Sequence, residues 1–444
     1  MSKSVGRNFS RRNFIRMAAG SAAVGPFFLF PDRALVSQKT LKIAKWAHFF
    51  PEYDRWFEDV LAKQWGAQHD VRIVVDHIPV EQVYARASAE VKAAKGQDVF
   101  IFPWPPAEYI QHVVDHGEIY QTVAGKYGNV NRLGHKSTFD PKTKKYFAFC
   151  DSWMPAPFHY FVDYWSEVGM PLGPMHYGSL RNGGKSLRAK RGIPCGLALA
   201  PSLEGSITLH TILNAFGGGV LSADGSLMID TARTVVALQY VKDLYQDTGT
   251  PEQLTWGASG NVKAMLARKT SSSINAISLL RAAEKQDPEL AAKIMIQPPL
   301  LGFSGIFGLP HVTNCSVVWN FAQNPEAAKQ FLADLIDDSK NSYEQSRGCN
   351  FPTYQKTVPD LIVRLENDPQ ASPSWKYKLL KDALHWTANL GYPGYADPVT
   401  MEVFNTFVVS RMFLSVVKGE RTPDEAANAA TAEVKRIAEK WKQT

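Results

Sequence analysis

Several stretches combine residue types that carry chemistry elsewhere, and their spacing decides how far each goes. GSLRNGGKS, Gly178 to Ser186, comes close to the phosphate-cradling pattern G-x-x-x-x-G-K-S. One residue too many separates its first glycine from the final Gly-Lys-Ser, and no strand feeds it, so the basic run Gly183 to Gly192 reads as an exposed loop. His48 and His311 each stand alone near an expected strand end, whereas a metal site needs several converging ligands. Tyr392 and Tyr395 in GYPGY lack the cluster of acids that a tyrosine-based ferric site requires. Cys150, Cys195, Cys315 and Cys349 are widely spaced, which excludes CxxC knuckles and iron–sulfur motifs. In an oxidising compartment Cys315 could bridge to Cys349; the other reading is four buried thiols. No Ser-His-Asp, HExxH or GxSxG pattern is present, although two carboxylates converging in a cleft for glycoside hydrolysis stay open on sequence grounds. No cofactor and no metal are expected.

The elements that must position any site begin after an export leader. SRRNFIRM, Ser10 to Met17, places twin arginines ahead of the apolar AAGSAAVGPFFLF, a run too short to span a bilayer comfortably and interrupted by Gly20, Gly25 and Pro26. Basic start, twin arginine, weakly hydrophobic stretch and polar exit at Pro31 to Arg33 are the layout of a twin-arginine signal peptide over residues 1–37. The mature start is expected near Ser37 or Gln38, with no cysteine nearby for a lipid anchor, and the product is expected in the periplasm. The 444-residue chain carries a net charge of +7. Most of that excess comes from Lys3, Arg7, Arg11, Arg12, Arg16 and Arg33 in the leader, so the remainder is near neutral and offers no concentrated basic surface for nucleic acid.

LKIAKWAHF reads as a strand, and YDRWFEDVLAKQWG as a helix stopping at Gly66. VRIVVDHI, VEQVYARASAEVKAAKG and DVFIFP follow as strand, helix and strand. This alternation implies a parallel sheet with covering helices, whose strand ends face a ligand crevice. KKYFAFCDSW and FHYFVDYW have strand character. SITLHTILNAFGGG reads as a helix closed by glycines, DTARTVVALQYVKDLYQDTG as a helix, and NVKAMLARKTSSSINAI as a helix leading into a strand. NPEAAKQFLADLI opens with proline at the first helical position, and TPDEAANAATAEVKRIAEKWK is a capped helix.

The ordered set LKIAKW, GQDVFIFP, YFAFCDSWMPAPFHYFVDYWSEVGMP, NAFGGGVLSADGSLMIDTARTVVALQYVKDLY, NPEAAKQFLADLI, SRGCNFPTYQKTVPD and KGERTPDEAANAA resembles the extracellular solute-binding proteins of ATP-driven importers, in the large sugar-binding family that includes maltose-binding protein. The stretch from Met175 to Pro201 has no counterpart in it. The resemblance implies an α/β, two-lobed periplasmic binding protein fold of type II, with lobes joined by hinge crossovers. Expected boundaries are 38–152 plus about 312–365 for lobe 1 and 153–311 plus about 366–444 for lobe 2. It also implies that a small polar solute, a carbohydrate or polyol, is trapped between lobes and delivered to permease subunits in the inner membrane by a monomer that makes and breaks no bond. The competing class is an exported hydrolase or other enzyme using the same cleft, and a third reading is a binding protein whose solute is not a sugar, for example a polyamine or phosphorylated glycerol.

Sugar recognition needs flat aromatic faces against pyranose C–H groups and planar polar groups for the hydroxyls. Among residues expected at strand ends or adjoining loops, the candidates are Trp46, Trp104, Asp151, Trp153, Trp256, Asn275, Trp386 and Tyr395. Trp56, Trp65, Trp319 and Trp441 fall on helices or mid-strand and are expected in the core.

Overall fold

The computed structural model describes residues 39–443, so the twin-arginine leader lies outside the described residues. The strands used below are β1 (Lys39–Trp46), β2 (Val71–Ile78), β3 (Val99–Phe102), β4 (Phe149–Met154), β5 (Phe158–Phe161), β6 (Ser272–Ile274), β7 (Ile294–Gln297), β8 (Val312–Val318) and β9 (Phe351–Pro352). They form two sheets, a six-stranded one of order β9-β4-β8-β3-β1-β2 and a three-stranded one of order β6-β5-β7. In the first, β1 runs parallel to β2 and β3, as the strand–helix alternation predicts. β8, which enters only after the chain has visited the second sheet, lies between β3 and β4 and runs antiparallel to both. Inward residues such as Leu41, Ile43, Phe100 and Val317 are fully buried.

The helices used below are α1 (51–69), α2 (Val83–Ala93), α3 (Tyr177–Arg191), α4 (Leu203–Phe216), α5 (Ala232–Thr248), α6 (Pro325–Asp334), α7 (Pro398–Asn405), α8 (Val408–Val417) and α9 (Pro423–Lys442). None of the described helices is, by itself, long and apolar enough to cross a membrane. α1 contains a π-helical segment at Phe57–Ala62 and runs past Gly66 to His69, ending at Asp70 in the left-handed region. Gly66 is therefore not a stop. A Cβ there would sit 2.5 Å from the Val71 carbonyl, and its absence lets the helix return tightly into β2.

The basic run Gly183 to Gly192 is not a loop. It lies in α3, capped by His176 and Ser179 and closed by Gly192 in the left-handed region. Low helix propensity of the glycines suggested otherwise, but packing decides. Gly183 and Gly184 are buried where a Cβ would come within 2.5 Å of the Trp165 ring and 2.4 Å of Cys195 Sγ.

Of the two readings for the cysteines, the structure carries the four buried thiols, and the β4–β8 register sets Cys315 opposite Cys150. Cys349 feels Arg281 and Tyr343 instead. Antiparallel pairing across a long crossover brings together residues that no local spacing links.

Candidate functional site

The strand directions define a crevice edge on each sheet. The carboxyl ends of β1, β3 and β4 and the amino end of β8 lie together on the first sheet, because β8 is antiparallel to its neighbours. On the second, the amino end of β5 meets the carboxyl ends of β6 and β7. Only residues 155–157 separate β4 from β5, so the two edges must face one another.

Glu204 sits at this junction. Ser202 caps α4, its side chain accepting from Gly205 N–H, so Glu204 stands in the first turn where the helix dipole favours an acid. Its carboxylate accepts from Asn275 Nδ2 at 3.0 Å, just past β6, and lies 3.2 Å from His311 Nε2, just ahead of β8. Asn261 Nδ2 reaches the same carboxylate at 3.5 Å and Ser273 Oγ at 3.3 Å. His311 thus joins the first sheet's edge to acid and amide groups of the second, and its buried Nδ1 has no partner.

The first sheet's own groups continue the polar line. Trp104 Nε1 donates to the His311 carbonyl at 3.0 Å. Phe49, 39% exposed, stands edge-on to both His311 and Trp46, with ring centroids at 5.5 and 5.3 Å. Trp46 Nε1 donates to Asn314 Oδ1 at 2.7 Å, Asn314 Nδ2 donates to Ser152 Oγ at 2.7 Å, and Ser152 Oγ donates to Asp151 Oδ2 at 2.6 Å. Burial pushes the Asp151 carboxyl up to about 6 despite these hydrogen bonds. His48 is driven down to about 3 by burial and by the adjacent Lys45 charge, so it is a neutral imidazole, 3.3 Å from Asn350 Oδ1.

Lys45 is buried, and burial lowers its pKa, yet its Nζ is bound by Asp54 and by the Trp46 carbonyl at 3.0 Å. Burial would raise Asp54, but hydrogen bonds and charge from His77 and Lys45 hold it at about 2. This ammonium is committed within the protein.

Of the residues selected from sequence, Trp46, Trp104, Asp151 and Asn275 fall within this network. Trp153 belongs to the same strand end, but its ring packs against Phe351 at 5.6 Å. Trp256 is half-buried in the loop before the helix Gly260–Leu266. Trp386 is on a short helix rather than after a strand, beside a cavity of about 310 Å³ shared with Arg132, Phe307 and Tyr392. Tyr395 is half-buried near His135, Phe139 and Lys136. Glu204, His311, Asn261, Asn314 and Phe49 were not selected. Glu204 had a legible signal, an acid in the first turn after a serine cap, while Asn314 and Asn261 carried none.

Two α/β units with sheet edges facing across short crossovers are the architecture of a two-lobed periplasmic binding protein. The sequence matches the bacterial extracellular solute-binding protein family over residues 60–373, most of the chain, and the chain belongs to that family. Curated proteins give no significant sequence match. Among solved structures, an ABC transporter solute-binding protein from Thermotoga lettingae TMO with bound alpha-D-tagatose has a TM-score of 0.73 at 17% identity, covering 90% of this chain and 99% of that one. Maltose-bound MalE3 of T. maritima has a TM-score of 0.72 at 16% identity, with 90% and 99% covered. A solute-binding protein from Agrobacterium radiobacter K84 in complex with ribitol has a TM-score of 0.69 at 18% identity, with 90% and 98% covered.

Proposed function

We propose that this chain is the periplasmic capture component of an ABC importer and that its solute is a small uncharged polyhydroxy compound, a sugar or polyol. The observation that carries this reading is the line of acceptors and donors from Glu204 through His311, Trp46 and Asn314 to Asp151, bordered by aromatic rings. Carboxylate and amide groups are suited to hydroxyls, and ring faces to C–H groups. A phosphorylated or carboxylated solute would call for an available cation, and Lys45 is held by Asp54. The tagatose, maltose and ribitol bound by the structural neighbours lend support.

In this reading residues 38–152 with about 312–365 form one lobe and 153–311 with about 366–444 the other, the solute is released unchanged, and closure presents a monomer to permease subunits in the inner membrane. The twin-arginine leader delivers the chain to the periplasm. The test is a thermal-shift and calorimetric screen of the purified chain against mono-, di- and polyol panels. A solute at a hundredfold excess over its Kd should stabilise by about 2.7 kcal/mol, with no product formed on prolonged incubation. Turnover of a bound glycoside would refute it in favour of a hydrolase, and tight binding restricted to anions would refute the solute class.

A further inference from the structure

Cys150 and Cys315 face each other across β4 and β8. The Cys150 N–H donates to the Tyr120 hydroxyl at 3.0 Å, and the Cys150 carbonyl accepts from Thr353 Oγ1 at 2.7 Å. Both main-chain groups are thus spent on partners outside β8, which makes the pair a non-hydrogen-bonded one. In such pairs the Cα atoms lie about 4.5 Å apart and the side chains are at their closest. That separation falls within the range of roughly 4.4 to 6.8 Å that a disulfide spans.

The register breaks beside this pair. Ser152 faces Asn314 and Cys150 faces Cys315, which leaves Asp151 as the extra residue of a bulge. The two cysteines therefore adjoin Asp151 and Asn314 in the chain, at the bulge that carries the Asp151–Ser152–Asn314 part of the polar network. Cys195 and Cys349 face no cysteine; Cys195 Sγ is surrounded by the Leu180 carbonyl and Ser271 Oγ.

We propose that Cys150 and Cys315 form a redox modification site, a cross-strand dithiol that closes to a disulfide on exchange with a small-molecule disulfide and fixes the bulge carrying Asp151. One cysteine thiolate attacks the external disulfide, releasing one small thiol and forming a mixed disulfide. The second cysteine then attacks the protein-bound sulfur and expels the second small thiol, so two protein thiols are oxidised and one external disulfide is reduced. Both thiols are fully buried, and burial holds Cys150 well above the ordinary thiol range, with the neighbouring Cys315 adding to the effect. Reaction therefore belongs to the chain before β4 and β8 close, or to their opening, and the bond once made is shielded.

The experiment refolds the full chain from denaturant with oxidised or with reduced glutathione, alkylates in denaturant, and maps the digest by mass spectrometry. Oxidised wild type should yield a Cys150–Cys315 cross-linked peptide two hydrogen atoms lighter than the paired reduced peptides, with Cys195 and Cys349 alkylated. The double variant Cys195→Ser/Cys349→Ser should keep the bridge. Cys315→Ser should lose it, together with the higher urea midpoint that oxidised wild type shows over reduced. Alkylation of all four cysteines after oxidative refolding, or a bridge through Cys195 or Cys349, would overturn the assignment. The wild-type and double-variant maps decide the matter even where Cys315→Ser does not fold.

Discussion

Glu108 offers a quantitative test of the contact between the region after β3 and the carboxyl-terminal helices. It lies in the turn following β3, and both carboxylate oxygens accept from Asn405 Nδ2, at 2.9 and 3.1 Å, at the end of α7. Beside it the Trp104 ring meets Phe404 at 5.9 Å. Burial, with Glu402 adding repulsion, drives the Glu108 carboxyl from 4.5 to about 7, while Asn405 and Lys440 oppose the change. Tyr84 and Tyr109, the other titratable groups that sense it, stay neutral because burial raises both. Between about pH 4.5 and about pH 7 the folded protein therefore holds a proton that the unfolded chain has lost, and stability falls as pH rises through that window. The gap between 4.5 and about 7, at roughly 1.36 kcal/mol per pKa unit, comes to about 3 kcal/mol. Glu108→Gln keeps the shape and an acceptor for Asn405 but cannot ionise. Urea unfolding of both proteins at about pH 5 and about pH 8 should find them similar in acid, with the variant more stable by about 3 kcal/mol in base. Taking the difference at each pH removes other groups with displaced pKa values, such as Asp151 and Asp54. A stability difference that stays constant across this range would refute the reasoning.

Further outcomes follow from the same contacts. Glu204→Gln, which keeps the volume but loses the charge facing His311 and Asn275, should weaken binding of the solute found in the screen by about 1.5 to 3 kcal/mol, or roughly ten- to a hundredfold in Kd by calorimetry; an unchanged Kd would remove Glu204 from the site. Gly205→Ala would set a Cβ 1.9 Å from the Ala200 carbonyl, so a melting curve should show lost stability and calorimetry lost affinity as the first turn of α4 shifts. Asp98 accepts from the backbone N–H groups of Lys42, Gln323 and Asn324. Asp98→Ala should cost about 1.5 to 3 kcal/mol in chemical denaturation, because a buried carboxylate that ties down three partly buried backbone donors is lost.

The α/β class, the early strand–helix alternation and several helix limits were legible from local sequence. Pro325 opens α6 and Thr422 with Glu425 caps α9, as the pattern indicates. Trp46, Trp104, Asp151 and Asn275 were legible as strand-end positions, and the structure brings them into one buried polar network. What failed depended on distant packing. The glycines of α3 looked like loop residues until Trp165 and Cys195 came close, and Trp386 lies on a helix that propensity did not mark.

By itself the sequence determined the early strand–helix alternation, several helix limits and which side chains could serve hydroxyl-rich chemistry, because apolar periodicity and capping act over a few residues. Tertiary structure alone decided that Glu204, Asn275 and His311 converge and that Cys150 rather than Cys349 stands opposite Cys315. The His311–Glu204 and Cys150–Cys315 contacts follow from strands that meet only after the chain has crossed to the second sheet and returned. No local pattern encodes a contact whose partners lie a hundred or more residues apart.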